Sequence, residues 1–224
     1  MQKAYASALV VLWLATSASA RCLDPSPRLL CAEYFQSDAV VTAKLLKTRR
    51  VTLPDDDYFL YTMRTERVFR GKVPAVFKVV DDAGTGRALI PEEEGPGYLL
   101  FLRYQKPYKA WSVDNCGNSH PLSESADTLK RIDQLQAGGN GGTIQGVVFL
   151  DPGSTVLVRG KQGTFKTTTD QQGHFEVHVP AGQYSVSVIH QGKRFEPDDL
   201  SYEDPKKLRV HNGGCAQVQF NLIE

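Results

Sequence analysis

The chain lacks an excess of either charge, with 26 Lys and Arg against 25 Asp and Glu in 224 residues. A balance this close to neutral supplies no global field that would gather nucleic acid or an anionic membrane surface. Apolar runs are also short: none reaches the roughly 20 residues needed to span a bilayer as a helix. There is no Cys-x-x-Cys pair, which argues against a structural zinc site. No Gly-x-Ser-x-Gly elbow occurs, and Gly84-Thr-Gly86 lacks the further glycine, lysine and helix of a phosphate loop. Helical periodicity is scarce, with a single good candidate in the whole chain. These gaps leave no locally marked catalytic residue, cofactor site or metal site. The expectation is a protein that is not an enzyme.

What is present begins with an address. Met1 to Lys3 carries one positive side chain, residues 4–14 are largely apolar, and Ala18-Ser-Ala20 is a small-x-small cleavage site. This predicts a signal peptide over residues 1–20 and a secreted or periplasmic protein. A lipid-modified Cys22 is disfavoured because Arg21 stands where a small residue is needed. Cleavage after Ala20 starts the mature chain at Arg21; cleavage one residue later would start it at Cys22. Four cysteines follow, Cys22, Cys31, Cys116 and Cys215. In an exported chain they read as disulfides, and four cysteines allow three pairings.

The body of the chain reads as all-β. Residues 167–188 set the pattern, with Phe175, Val177 and Val179 alternating on one run and Tyr184, Val186 and Val188 on the next. Asp170 to Gly173 and Pro180 to Gly182 break the runs, and the expected arrangement is two successive hairpins, a meander covered by a second sheet. Similar short strands are expected over residues 144–150, 155–159, 164–169, 208–210 and 216–222. Seven such strands form a β-sandwich over residues 143–224.

Residues 21–135 are expected to form a first domain. Strands are predicted from Asp38 to Leu46, from Tyr58 to Phe69, over residues 76–80, over residues 98–104 and over residues 111–113. The fourth is apolar on both faces and so central. Polar loops are expected at residues 48–57 and 81–97, the second carrying the acidic triplet Glu92 to Glu94, read as solvated. Lys44, Lys47, Arg49 and Arg50 form a local basic patch, read as a solvated strand end. The helix candidate spans residues 123–135, with Ala126, Leu129, Ile132 and Leu135 on one side and Ser123 as its cap. Five strands and a terminal helix suggest a small closed barrel. Residues 136–142, rich in glycine, are expected to be a flexible linker.

Cys22, then Cys31-Ala-Glu-Tyr-Phe, then Ser37-Asp-Ala-Val-Val resembles the opening of the netrin-like (NTR) modules of exported bacterial proteins. Arg67-Val-Phe-Arg-Gly71, Gly97-Tyr-Leu-Leu-Phe101 and Cys116 followed by Pro121-Leu are similar to later signatures of that module. The resemblance implies an oligonucleotide-binding-type (OB) barrel, as in the tissue inhibitors of metalloproteinases, and a bond from Cys116 to Cys22 or Cys31. It leaves the remaining cysteine and Cys215 without an assigned partner. In the second half, Gly146-Val-Val, Thr169-Asp-Gln-Gln-Gly-His-Phe175 and Val179-Pro-Ala-Gly-Gln-Tyr184 resemble the carboxypeptidase regulatory-like, transthyretin-type domain. Gly214-Cys-Ala-Gln-Val-Gln-Phe220 is similar to its last strand. That family implies a prealbumin-like sandwich with no active-site residues.

His174-Phe-Glu-Val-His178 is the one superficially metal-like stretch. On a strand its two imidazoles stand about 13 Å apart, which rules out a shared ion. Asp198, Asp199, Glu203 and Asp204 read as a solvated acidic loop. The functional expectation is an exported, non-catalytic protein that binds another protein or a cell-surface component, with no nucleic acid partner, no cofactor and no membrane span. Its expected interaction surface is Arg21, Cys22, Leu23 and Asp24, with the loops near residues 22–26 and 54–58. The alternatives are a metalloprotease inhibitor, which needs Cys22 as the first mature residue, and a hydrolase with an unmarked site.

Overall fold

The computed structural model of the chain describes residues 28–53, 56–82, 90, 95–149, 152–195, 204 and 206–221. The fold is all-β, with two α-helices among the described residues, α1 (Leu30–Gln36) and α2 (Ala126–Ala137). In the first half the strands are β1 (Ala39–Leu53), β2 (Asp56–Arg70), β3 (Val76–Asp82), β4 (Gly97–Gln105), β5 (Ala110–Ser112) and β6 (His120–Pro121). Their order is β1-β2-β3-β5-β4-β6, and β1 also pairs with β4, so the hydrogen-bonded circuit closes on itself. All neighbours are antiparallel except β3 and β5. The circuit closes where β1 meets β4, over Ala39–Lys44, while the described residues of β1 beyond Lys44 pair with β2 on one side.

The circuit encloses one apolar cluster, with Ala43, Leu45, Tyr61, Met63, Val79, Leu100 and Leu102 at its centre. The central strand β4 is apolar on both faces, as its sequence requires. Leu99 and Phe101 point the other way, into a second cluster with Leu30, Tyr34, Val40, Phe69 and Ile132. The two helices cover that outer side. Ser125, not Ser123, occupies the N-cap of α2, and its hydroxyl donates to the Pro121 carbonyl at 2.8 Å. Helix α1 was not expected. Seven residues are too few to show a helical period, and its N-cap, Leu29, offers no side-chain bond.

Of the polar stretch 48–57, expected as a loop, residues 48–53 and 56–57 are instead strand. β1 and β2 stay paired from Val40–Arg70 out to Leu53–Asp56. Polarity misled here because the far end of this hairpin leaves the core, so neither face needs apolar side chains. At the other end Gly71 turns the chain with φ of +75°, and a Cβ there would sit 2.0 Å from the Asp38 carbonyl oxygen. Both the conformation and the space demand glycine. Gly71→Ala is expected to cost more than about 2 kcal/mol, measured as a shift in the urea unfolding midpoint.

The second half carries β7 (Gly142–Val148), β8 (Thr155–Gly160), β9 (Gly163–Thr168), β10 (His174–Val179), β11 (Gly182–His190), β12 (Lys193–Phe195), β13 (Leu208–Val210) and β14 (Cys215–Phe220). One sheet is ordered β10-β7-β14, the other β12-β11-β8-β9 with β13 also on β11. Ile144, Phe175, Val179 and Val218 from the first sheet meet Val156, Val158, Tyr184, Val186 and Val188 from the second in one buried cluster.

The expected meander is not formed. β9, β10 and β11 follow one another in sequence yet alternate between the two sheets, so both connections pass from one sheet to the other. A two-residue hairpin needs positive φ at its first central residue, which Pro180 forbids. At the other crossing the Asp170 carboxylate accepts from the Gln172 and His174 amides at 2.9 and 2.8 Å, and Gly173 takes φ of +81°.

The glycine-rich stretch between the halves is tied down. Gln136 and Ala137 complete α2, the Gly141 amide donates to Asn212 Oδ1 at 3.1 Å, and the Gly213 amide donates to the Gly141 carbonyl at 2.7 Å. Gly139 and Gly213 approach so closely that a Cβ on Gly139 would lie 3.2 Å from Gly213 Cα. Here glycine serves close approach and not freedom.

Candidate functional site

The most unusual surface lies on the outer face of β1, β2 and β3. Tyr61 and Met63 of β2 are fully buried in the circuit's core, so the alternate residues Tyr58, Leu60, Thr62 and Arg64 face outward. Opposite residues of paired strands share a face. On β1 the partners are Val51, Arg49, Lys47 and Lys44; on β3 they are Asp82, Val80, Lys78 and Val76. The result is a grid of three strands by four rows. Lys44, Lys47, Arg49, Arg64 and Lys78 supply five basic positions, and Asp82 holds the one acidic register position.

A bulge makes this grid. The β1–β2 register shifts between Leu45 and Lys47, so Leu46 is an extra residue and the side-chain alternation of β1 reverses beyond it. Lys44 lies before the bulge, Lys47 and Arg49 after it, and all three reach one face. Arg50 goes to the opposite face, above the Phe59 ring at 5.9 Å, where its Nε donates to Asp57 Oδ2 at 3.1 Å. That hydrogen bond holds the Asp57 carboxyl below its ordinary 3.8. Sequence reading placed four basic residues in the patch; the fold removes Arg50 and adds Arg64 and Lys78.

Lys47, Arg49, Arg64 and Lys78 are exposed and Lys44 is half-buried. Among the described residues none of these five forms an ion pair, whereas Arg28, Arg50 and Arg67 each do. One corner of the grid is aromatic. Tyr58 meets Tyr108 edge to face at 5.5 Å, and Tyr108 is 48% exposed. Tyr108 sits on the β4–β5 turn between exposed Lys106 and Lys109, the latter with φ of +49°. Tyr104, 46% exposed, packs edge to face on Trp111 at the same hairpin.

Where the two halves meet the arrangement is built for rigidity. Cys31 of α1 is bonded to Cys215 of β14 across 184 residues. Of the two partners expected for Cys116, this bond removes Cys31, and it gives Cys215 the partner that the sequence left open. Cys116 is also disulfide-bonded, and no described cysteine is free. Phe35 stacks on His211 at 4.5 Å, and the Leu29 amide donates to Gln217 at 2.8 Å. Burial, with Arg70 and Arg209 nearby, lowers His211 below its ordinary 6.5, so the stacked ring is neutral at pH 7.

Beside this junction lies a buried polar cluster. The Glu33 carboxylate accepts from the Asn118 amide at 2.6 Å and from Asn118 Nδ2 at 2.7 Å. Arg28 approaches Asp114 at 3.4 Å and Glu33 at 4.0 Å, and its other terminal nitrogen donates to Gln36. Burial raises the Glu33 pKa above 4.5, outweighing the Asn118 bonds and the Arg28 charge. These contacts bind the segment before α1 to residues 114–118.

The other sequence candidates divide. His174 and His178 are exposed on β10, as strand alternation requires. A groove of about 780 Å³ runs over the outer side of the β10-β7-β14 sheet, with Leu29, Val147 and Phe149 among its apolar lining. Its polar lining is engaged, Gln145 donating to Glu176 at 3.0 Å and Gln217 accepting from Leu29. Arg21, Cys22, Leu23 and Asp24, the expected interaction surface, lie outside the described residues, as do Pro54, Asp55 and the triplet Glu92 to Glu94. Of the acidic loop only Asp204 is described, and it is exposed. No protein-family model matches this chain, and no curated protein sequence matches it.

Proposed function

We propose that the chain is an exported, non-catalytic binding protein whose working surface is the basic outer face of β1, β2 and β3. In this reading residues 21–135 are an NTR-like module of OB type, and residues 143–224 are a transthyretin-type module that acts as an accessory body. The closed order β1-β2-β3-β5-β4 with one parallel contact supports the first assignment, and two sheets around one core support the second.

The observation that carries the functional reading is five cations gathered on one rigid face with no ion-pair partner among the described residues. Self-repulsion there costs stability, and a partner of opposite charge would relieve it. The test is a paired substitution, Lys47→Glu with Lys78→Glu. Both side chains are exposed, so the thermal melt is expected to stay within a few degrees of the parent. Capture of a partner from culture fluid or cell envelope is expected to weaken by roughly tenfold or more at 0.15 M salt. Equal capture by parent and variant would move the working surface elsewhere.

A further inference from the structure

Resting on that reading, we propose that the occupant of the β1–β2–β3 face is a linear anionic polysaccharide, one bearing carboxylate or sulfate at regular intervals. Three properties of the grid point to it. The first is pitch. Like-facing residues repeat at about 7 Å along a strand and about 4.8 Å across strands, so the five cations form a lattice about 13 Å long. A polymer with repeating charge meets several of them at once, whereas a single anion meets one or two.

The second is shape. The cations' own rows also hold Leu60 and Thr62, both half-buried, and Val80, which is buried. Flat sheet with charge spread over it suits a chain that lies across it.

The third is where the rings are. Single-stranded nucleic acid is held by aromatic platforms that stack successive bases along a basic track. Here the interior of the track is aliphatic, and rings stand only at one corner, where Tyr58 meets Tyr108 beside Lys106 and Lys109. One amphipathic platform at the end of a cationic track fits a sugar ring presented by a charged chain.

The experiment uses the full secreted chain with labelled alginate oligomers, dextran sulfate, neutral dextran and an oligothymidylate of matched charge. Binding is expected to both anionic glycans and not to neutral dextran, with affinity falling as sodium chloride rises from 0.05 to 0.5 M. Lys47→Glu with Lys78→Glu is expected to reduce glycan affinity at least tenfold. Tyr58→Ala is expected to reduce it severalfold while leaving the salt dependence as it was. Tighter binding of oligothymidylate than of either glycan would overturn the proposal in favour of nucleic acid. If neither glycan binds while the paired variant still loses partner capture, the face is a working surface for another class and this inference falls alone. If the paired variant changes neither glycan binding nor capture, both readings fall.

Discussion

Replacing Cys31 and Cys215 together by serine is expected to lower the unfolding free energy by several kcal/mol, with a chain-entropy ceiling of about 5 kcal/mol for a closed loop of this length. The bridge joins residues 184 apart, so it constrains nearly all of the unfolded chain. Among the described residues the junction also carries a ring stack, an amide bond to Gln217 and the approach of Gly214 to Phe35. The clusters in the two halves share no residue. The double variant is therefore expected to unfold in urea as two separable transitions, where the oxidised parent unfolds in one. A single transition at an unchanged midpoint would show that the interface holds without its covalent bond.

Glu33→Ala is expected to be the other severe change, costing about 3–5 kcal/mol. It leaves the Arg28 guanidinium buried with less counter-charge and removes the acceptor for both Asn118 donors. Glu33→Gln keeps that acceptor and is expected to cost much less. The two variants also differ from the parent in pH dependence. Because the folded pKa is raised above 4.5, the native state holds the proton more tightly than the unfolded chain. That contribution is fully present below pH 4.5 and is lost as pH rises through the raised folded value. Denaturant midpoints taken from pH 4 to 8 should show this decline in the parent and not in Glu33→Gln. A parallel decline in both would assign it to another group.

Much of the architecture was legible in the sequence because strands announce themselves twice, by alternation and by the turns between them. β4 was readable from an unbroken apolar run, and β10 and β11 from period-two patterns ending at Gly173 and Pro180. Pairing was not legible. The same alternation suits a hairpin or a crossing between sheets, and only the proline at position 180 carried a hint of which. Residues 48–53 and 56–57 were misread for the complementary reason: a ribbon that leaves the core keeps its hydrogen bonds but sheds its apolar face. The basic grid was half legible. Lys44, Lys47 and Arg49 are close in sequence, but Arg64 and Lys78 join them only through register, and Arg50 leaves because of one bulged leucine. The buried cluster around Glu33 gave no local signal, since its members come from residues 28–36 and 114–118.

The bond between Cys31 and Cys215 also has a temporal meaning. Cys31 belongs to the first helix to leave the ribosome among those described, and its partner lies on the last described strand. The closure thus waits until both cysteines have been synthesised. A product stopped short of β14 would lack the partner that Cys31 takes in the folded chain.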